Sequence, residues 1–184
     1  MTASLWQLTS LSLGKRLQNV TLSIPRGNTA IMGCSGAGKT SLLNVLAGFE
    51  QPTSGKILRN IPVQRQIPLF WVPPQDGLWP HLTVSQHISA VLPSGKKTAG
   101  QIASLMQQFD LEHLAKELPG LLSQGERSRL SVARAIASDA QVLVMDEPLQ
   151  GLDEFGTRKY WQILREHCTT SGCSLIFASH HPET

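Results

Sequence analysis

Residues 33–40 read GCSGAGKT and satisfy the spacing G-x-x-x-x-G-K-[ST] at every fixed position. The chemistry this pattern serves is the holding of a polyphosphate. Glycines let backbone N–H groups turn inward around phosphate oxygens, at a helix N-terminus whose dipole favours anions. The candidate phosphate ligands are Gly33, Cys34, Ser35, Gly36, Ala37, Gly38, Lys39, Thr40 and Ser41. Lys39 is expected to reach the β- and γ-phosphates, and Thr40 to offer its hydroxyl to Mg²⁺. A glycine-rich turn with an exposed lysine could share the spacing, but here a strand-like run, TAIMG, precedes the motif and a helical run, SLLNVLAG, follows it. Cys34 reads as a small loop residue rather than a nucleophile.

A second pair of residues suits the same reaction. VLVMDEP, residues 142–148, ends an apolar run with Asp146 and Glu147. Asp146 is placed to hold Mg²⁺, directly or through water, and Glu147 to act as general base toward an attacking water. Alone, two carboxylates after a strand are ordinary solvated loop residues; a phosphate loop upstream changes that reading. Gln75, in WVPPQDGLWPHLTV, is a candidate contact for Mg²⁺ and the water. His180, in ASHHPET, is a candidate contact for the γ-phosphate. LLSQGER, residues 121–127, puts Ser123 and Gly125 at a predicted helix start, where a hydroxyl and free N–H groups bind anions.

These residues need a scaffold that alternates strands and helices. β-rich runs are predicted at 5–11, 20–24 and 29–33, and strands at 67–72, 141–145 and 174–179. Helices are predicted at 41–48, 83–92 (Thr83 as N-cap), 101–118 (one or two helices), 123–137 and 154–168. PTSG at 52–55 reads as a turn, and PSGKKTAG at 93–100 as an internal linker. The alternation implies an α/β fold with a mostly parallel sheet, interrupted by an all-helical middle.

Composition narrows the class. The chain has 184 residues, enough for one domain with a sizeable core. A net charge of +3 with only short basic pairs, Lys15-Arg16 and Lys96-Lys97, gives no basic face, so no nucleic-acid partner is expected. Three cysteines without a CxxC pair or zinc spacing suit a reducing compartment. The opening MTASLWQLTS lacks a basic region followed by an apolar core, so no signal peptide is expected. No apolar run approaches the roughly 20 residues that span a bilayer.

The order of the motifs, phosphate loop, Gln75, LSQGE, strand-Asp-Glu and His180, resembles that of the ATP-binding cassette (ABC) ATPases. The resemblance covers nearly the whole chain and extends through RSRLSVARAIASDAQVLVMDEPLQGLD, which places Asp153 as the D-loop aspartate. It implies a P-loop NTPase fold, a single domain over 1–184 with an antiparallel β-subdomain trimmed between PTSG and Gln75, and an inserted helical subdomain at about 76–138. It implies ATP and Mg²⁺ as cofactors and ATP hydrolysis as the activity. It also implies that two subunits pair head-to-tail, so that Ser123 and the Gly125 N–H cap the γ-phosphate held by the other subunit's loop. A second ABC ATPase subunit, as a homodimer in the ATP-bound state, and transmembrane permease subunits are the partners implied. The location implied is cytoplasmic, peripheral on a membrane through such a partner.

The sequence departs from the family pattern in several places. Gln124 and Glu126 stand where the signature LSGGQ has glycine and glutamine, and the added carboxylate is expected to oppose closure on a triphosphate. Leu13 takes the place of the aromatic on which the family stacks adenine; Trp6 is a poorer substitute, being too early in the first strand. His180, not His181, aligns as the switch histidine. The sequence closes four residues after His180, which implies a sheet edge left partly uncovered or covered by a partner.

Trp79, Pro80 and Leu82 would form an apolar patch for a membrane subunit, or pack within the domain. The leading function is the ATPase subunit of an ABC transporter. The alternatives are an ABC ATPase that drives a conformational change in a membrane-protein complex without transport, and a P-loop kinase.

Overall fold

The computed structural model describes residues 4–63, 65 and 67–180; His181 lies outside them. Among the described residues there are two sheets and five α-helices. An antiparallel sheet is made of β1 (Ser4–Leu13), β2 (Leu17–Pro25) and β4 (Ser54–Arg59), in the order β2-β1-β4. A parallel sheet is made of β3 (Asn28–Met32), β5 (Leu69–Val72), β6 (Val142–Asp146) and β7 (Ser174–Ser179), in the order β3-β7-β6-β5. The helices are α1 (Lys39–Ala47), α2 (Val84–Val91), α3 (Ala99–Gln108), α4 (Gln124–Ala137) and α5 (Glu154–Ser171).

The parallel sheet sits in the middle because β6 and β7 are buried at every residue, which is what a continuous apolar run in a parallel sheet produces. Their alternation divides two cores. Val142, Val144, Ile176 and Ala178 pack with α1 residues Leu42, Leu43 and Leu46 and with Trp6, Leu8 and Leu11 of the antiparallel sheet. Leu143, Met145, Leu175 and Phe177 point the other way, into a core shared with Ile88, Phe109, Leu130, Val132, Trp161 and Leu164. A one-residue register slip on β6 would exchange the two sets, so the register is fixed by burial on both faces.

Two helix starts follow from capping chemistry. Thr83 caps α2 and Ser123 caps α4, each in a reciprocal capping box with the residue three positions on, Gln86 and Glu126. Each cap stabilises its helix by about 1 kcal/mol.

Some sequence expectations need correction. PTSG is not a turn throughout: its Ser54 and Gly55 already belong to β4, which pairs antiparallel with β1, from Trp6 opposite Arg59 to Ser12 opposite Ser54. PSGKKTAG is not a free linker. It forms a 3₁₀ turn at Ser94–Lys96 and then opens α3, and Lys96 Nζ pairs with Asp139 Oδ2 at 2.7 Å. The run 101–118 becomes α3 and a separate 3₁₀ turn at Glu112–Leu114. Among the described residues no helix is long and apolar enough to cross a membrane.

Candidate nucleotide site

The loops that follow β3, β6 and β7 leave the same end of the parallel sheet, where ligands of such sheets bind. They line a cleft of about 400 Å³ together with the β1–β2 turn, α1 and Pro74. Ser35, Gly36, Gly38, Lys39, Thr40, Ser41, Asp146, Glu147, His180 and Arg16 contribute to its wall.

The loop between β3 and α1 is shaped by its glycines. Gly38 is the N-cap of α1 in a left-handed conformation (φ 89°), and a Cβ there would lie 2.7 Å from the Arg16 carbonyl oxygen. Only glycine lets the β1–β2 turn approach the helix start this closely. No side chain caps α1, so its first N–H groups remain available to an anion. The Ala37 N–H is used within the loop, donating to the Cys34 carbonyl at 3.2 Å. Cys34 itself is exposed.

Lys39 is buried, and its ammonium group is fully engaged. It donates to the Gly33 carbonyl at 2.8 Å and the Cys34 carbonyl at 3.2 Å, and meets His180 Nδ1 at 3.0 Å. Because an ammonium can only donate, Nδ1 of His180 is the acceptor. The imidazole proton then sits on Nε2, which lies 2.9 Å from Glu147 Oε1. Lys39 and His180 are thus in direct polar contact, and Glu147 lies just beyond them with its Oε1 buried and accepting no hydrogen bond. Glu147 is held there by an unusual backbone: its φ is 49°, and its N–H donates to the Ala178 carbonyl of β7 at 3.1 Å.

Asp146 is 3% exposed, and its Oδ2 is buried with no hydrogen-bond partner. A buried carboxylate oxygen left unpaired is costly. Asp146 lines the same cleft as Thr40, and two such oxygen donors fit a Mg²⁺ ion, which takes one or two protein oxygens and completes its shell with phosphate and water.

The other expected residues lie elsewhere. Gln75 is exposed and lines a neighbouring cleft with Pro119, Gln124, Arg127 and Gln150, not the wall beside Lys39. Ser123 and Gly125 at the head of α4 are also absent from the Lys39 cleft. Leu13 is 5% exposed and Trp6 fully buried, both in the core beneath α1, so neither offers a face to a base. The residue that the turn LSLGKRL does present to the cleft is Arg16, which the sequence reading treated as ordinary surface. Its guanidinium reaches Ser41 Oγ at 3.4 Å and is paired with Glu50.

The substituted signature has a specific geometry. Glu126 Oε2 accepts from the Ser123 N–H and from the Ser123 hydroxyl, both at 2.7 Å. These bonds hold the Glu126 carboxyl below its usual range, the Ser123 side chain contributing most. The carboxylate that was expected to face a triphosphate is therefore turned back on its own helix cap and occupies the serine hydroxyl. Gly125 has a packing reason to be glycine: a Cβ would lie 2.9 Å from Leu152 Cδ2 and 3.2 Å from the Gly151 carbonyl.

One face of α4 grips both loops that flank the cleft. Ser128 Oγ donates to the Gln150 carbonyl at 2.6 Å, Ser131 Oγ to the Asp76 carbonyl at 2.9 Å, and Arg134 Nη1 to the Gly77 carbonyl at 2.8 Å. Arg134 also lies over the Trp79 ring at 4.6 Å, and Trp79 stacks on His87. Burial pushes the Arg134 pKa down to about 10, with Asp76 opposing the shift. Burial likewise lowers the pKa of His87, whose Nε2 accepts the backbone N–H of Trp79 at 2.8 Å. Trp79 remains 38% exposed on its outer side, so it serves internal packing and surface at once. A rigid helix thus joins Ser123 to the segments after Gln75 and Glu147.

Comparison with known proteins agrees with this architecture. Residues 17–150 match the family model described as ABC transporter. The chain is 34% identical over 179 residues to an Fe(3+) ions import ATP-binding protein, FbpC 2, of Haemophilus influenzae, covering 89% of this chain but 50% of that protein. It is also 34% identical over 168 residues to the thiamine import ATP-binding protein ThiQ of Yersinia pseudotuberculosis, covering 85% of this chain and 70% of that protein. Among solved structures, the dimeric bacterial ABC transporter cassette MJ0796 superposes with a TM-score of 0.80 at 24% identity, over 97% of this chain and 89% of that one. That likeness speaks to the fold.

Proposed function

Because the chain belongs to the ABC transporter family of ATP-binding cassettes, we propose that it binds and hydrolyses ATP as the motor subunit of a transporter. The observation that carries the proposal is the convergence of Lys39, His180 and two buried, unpartnered carboxylate oxygens, Asp146 Oδ2 and Glu147 Oε1, on one glycine-built cleft. The two import ATP-binding proteins it resembles favour transport over a purely mechanical role.

In this proposal the residues divide the work as follows. Backbone N–H groups of the loop and of the α1 start hold the β- and γ-phosphates, and Lys39 leaves His180 to donate to them. Thr40 and Asp146 hold Mg²⁺, which supplies charge neutralisation of the phosphates when bound. Glu147 orients the attacking water and takes its proton, while His180 contacts the γ-phosphate. Ser123 and the Gly125 N–H complete the site of a second subunit, since they stand apart from the cleft of their own. For that, the Ser123 hydroxyl exchanges its bond to Glu126 for one to phosphate. Gln75 and the α4 face carry the resulting motion to the helical layer, whose exposed Trp79 edge receives a permease subunit at the cytoplasmic side of a membrane.

Phosphate release from MgATP, measured against protein concentration, tests this reading. The rate per subunit is expected to rise with concentration, as a reaction between two subunits must. Ser123→Arg is expected to abolish that rise while leaving nucleotide binding intact. A rate per subunit independent of concentration, and unchanged in Ser123→Arg, would remove the signature from catalysis.

Arg16 should stand in for the missing aromatic. A guanidinium over the base is worth about 0.5–1 kcal/mol at an exposed site. Arg16→Ala is therefore expected to weaken ATP binding by roughly two- to fivefold, in titrations with a fluorescent nucleotide. Undiminished affinity would leave the base without a protein contact at this position.

A further inference from the structure

A pair of buried thiols lies away from the nucleotide cleft, and nothing in the proposed reaction uses it. Cys168 is in the last turn of α5, and Cys173 is the residue before β7. Between them Gly172 takes a left-handed conformation (φ 68°) at the C-cap of α5 and reverses the chain. That reversal brings the two sulfurs to 3.1 Å, hydrogen-bonded, with both residues 4% exposed. The turn is fixed on both sides. Arg65 donates to the Ser171 carbonyl and pairs with Asp139, and the Ser174 N–H donates to the Gln141 carbonyl at 3.0 Å. The spacing is not that of a CxxC motif, so the sequence alone gives no sign of the pair.

We propose that Cys168 and Cys173 are a redox-active dithiol that hydrogen peroxide closes into a reversible intrachain disulfide. A disulfide needs sulfurs at about 2.0 Å, so closure requires an approach of only about 1 Å within a turn already formed. The chemistry balances with one peroxide. The Cys173 thiolate attacks a peroxide oxygen and becomes a sulfenic acid, and the departing hydroxide leaves as water once protonated. Cys168 sulfur then attacks Cys173 sulfur, forming the S–S bond; the second hydroxide leaves as water with the Cys168 proton. Two thiols and one peroxide give one disulfide and two waters, with two electrons passing from sulfur to oxygen.

The division of labour follows from the surroundings. The bond shared with Cys168, with His167 and Ser171 nearby, draws the Cys173 thiol below the usual thiol range, against the effect of burial. Cys168 is pushed up by its bond to Cys173 and by burial. Cys173 is therefore the attacking thiolate and Cys168 the resolving thiol. The pair sits at the N-terminal end of β7, while His180 follows its C-terminal end. Closure thus tightens the α5–β7 turn without entering the nucleotide cleft.

The test uses the folded wild-type chain. It is treated with hydrogen peroxide, freed of peroxide and denatured in guanidinium chloride, its remaining thiols are alkylated with iodoacetamide, and it is digested with trypsin without reductant. The peptide that follows Arg165 contains both cysteines and neither lysine nor arginine. That peptide is expected unalkylated and lighter by two hydrogen atoms, and to become doubly alkylated when dithiothreitol precedes the alkylation. Cys168→Ser and Cys173→Ser should each abolish the lighter species. If either variant fails to fold, the wild-type mass decides alone. A doubly alkylated peptide after peroxide, or a sulfinic acid on one cysteine with the other still free, would overturn the proposal.

Discussion

Glu147→Gln is expected to bind ATP as the wild type does and to release phosphate about two to four orders of magnitude more slowly, the usual worth of a positioned general base. The substitution is close to isosteric and keeps what holds residue 147 in place. Its N–H bond to the Ala178 carbonyl is a backbone contact, and the positive φ of 49° is no harder for glutamine than for glutamate. The amide oxygen can still face His180 Nε2–H, so the Lys39–His180 contact survives. What is lost is the ability to take a proton from water. If Glu147 is the base, binding and dimer closure continue while hydrolysis stops. MgATP should then shift Glu147→Gln from monomer to dimer in size-exclusion chromatography, and Ser123→Arg in the same background should prevent the shift. Normal turnover by Glu147→Gln would assign the proton to another acceptor.

The parts of this site that the sequence revealed are those set by local chemistry. A phosphate loop is a matter of glycines and one lysine at fixed spacing, and GCSGAGKT carries them within eight consecutive positions. The strand before Asp146 is buried on both faces and reads as an unbroken apolar run. The caps at Thr83 and Ser123 lie in stretches whose residue types alone favour a helix start.

What escaped the sequence depends on distant partners. β4, SGKILR, is polar and largely exposed, and it is a strand because β1 offers a free edge to pair with. Arg16 belongs to a basic pair that stays exposed, but the hairpin that carries it folds against α1, a contact permitted by Gly38, and so brings it to the cleft wall. Leu13, assigned by alignment to a base-stacking role, is drawn into the core under the same hairpin. Gln75 follows a strand, as expected, but its loop is pulled toward α4 by Ser131 and Arg134, and those residues are more than fifty positions away. Glu126 looked like a charge aimed at the nucleotide; a capping box offers it two donors at once and turns it inward.

Lys39→Ala is expected to weaken ATP binding by about a hundredfold or more and to abolish turnover. Each hydrogen bond from a charged group contributes about 1.5–3 kcal/mol, and a lysine bridging the β- and γ-phosphates makes at least two. The structure indicates that the loss is one of function rather than fold. The carbonyls that Lys39 now holds belong to Gly33 and Cys34, both exposed, so water replaces the ammonium at small cost. Lys39 as a whole is buried, and Lys39→Met, which keeps most of the side-chain volume, separates packing from charge. Both variants should retain the wild-type circular dichroism spectrum and melt within a few degrees of it in the absence of nucleotide. Both should lose affinity together in titrations with a fluorescent nucleotide. Removing Lys39 also frees His180 Nδ1, leaving the imidazole beside Glu147 alone; the proposed γ-phosphate contact from His180 would then be mispositioned even where some nucleotide still binds. Affinity within about threefold of wild type in Lys39→Ala would mean that backbone N–H groups alone hold the phosphates, and that Lys39 serves only to orient His180.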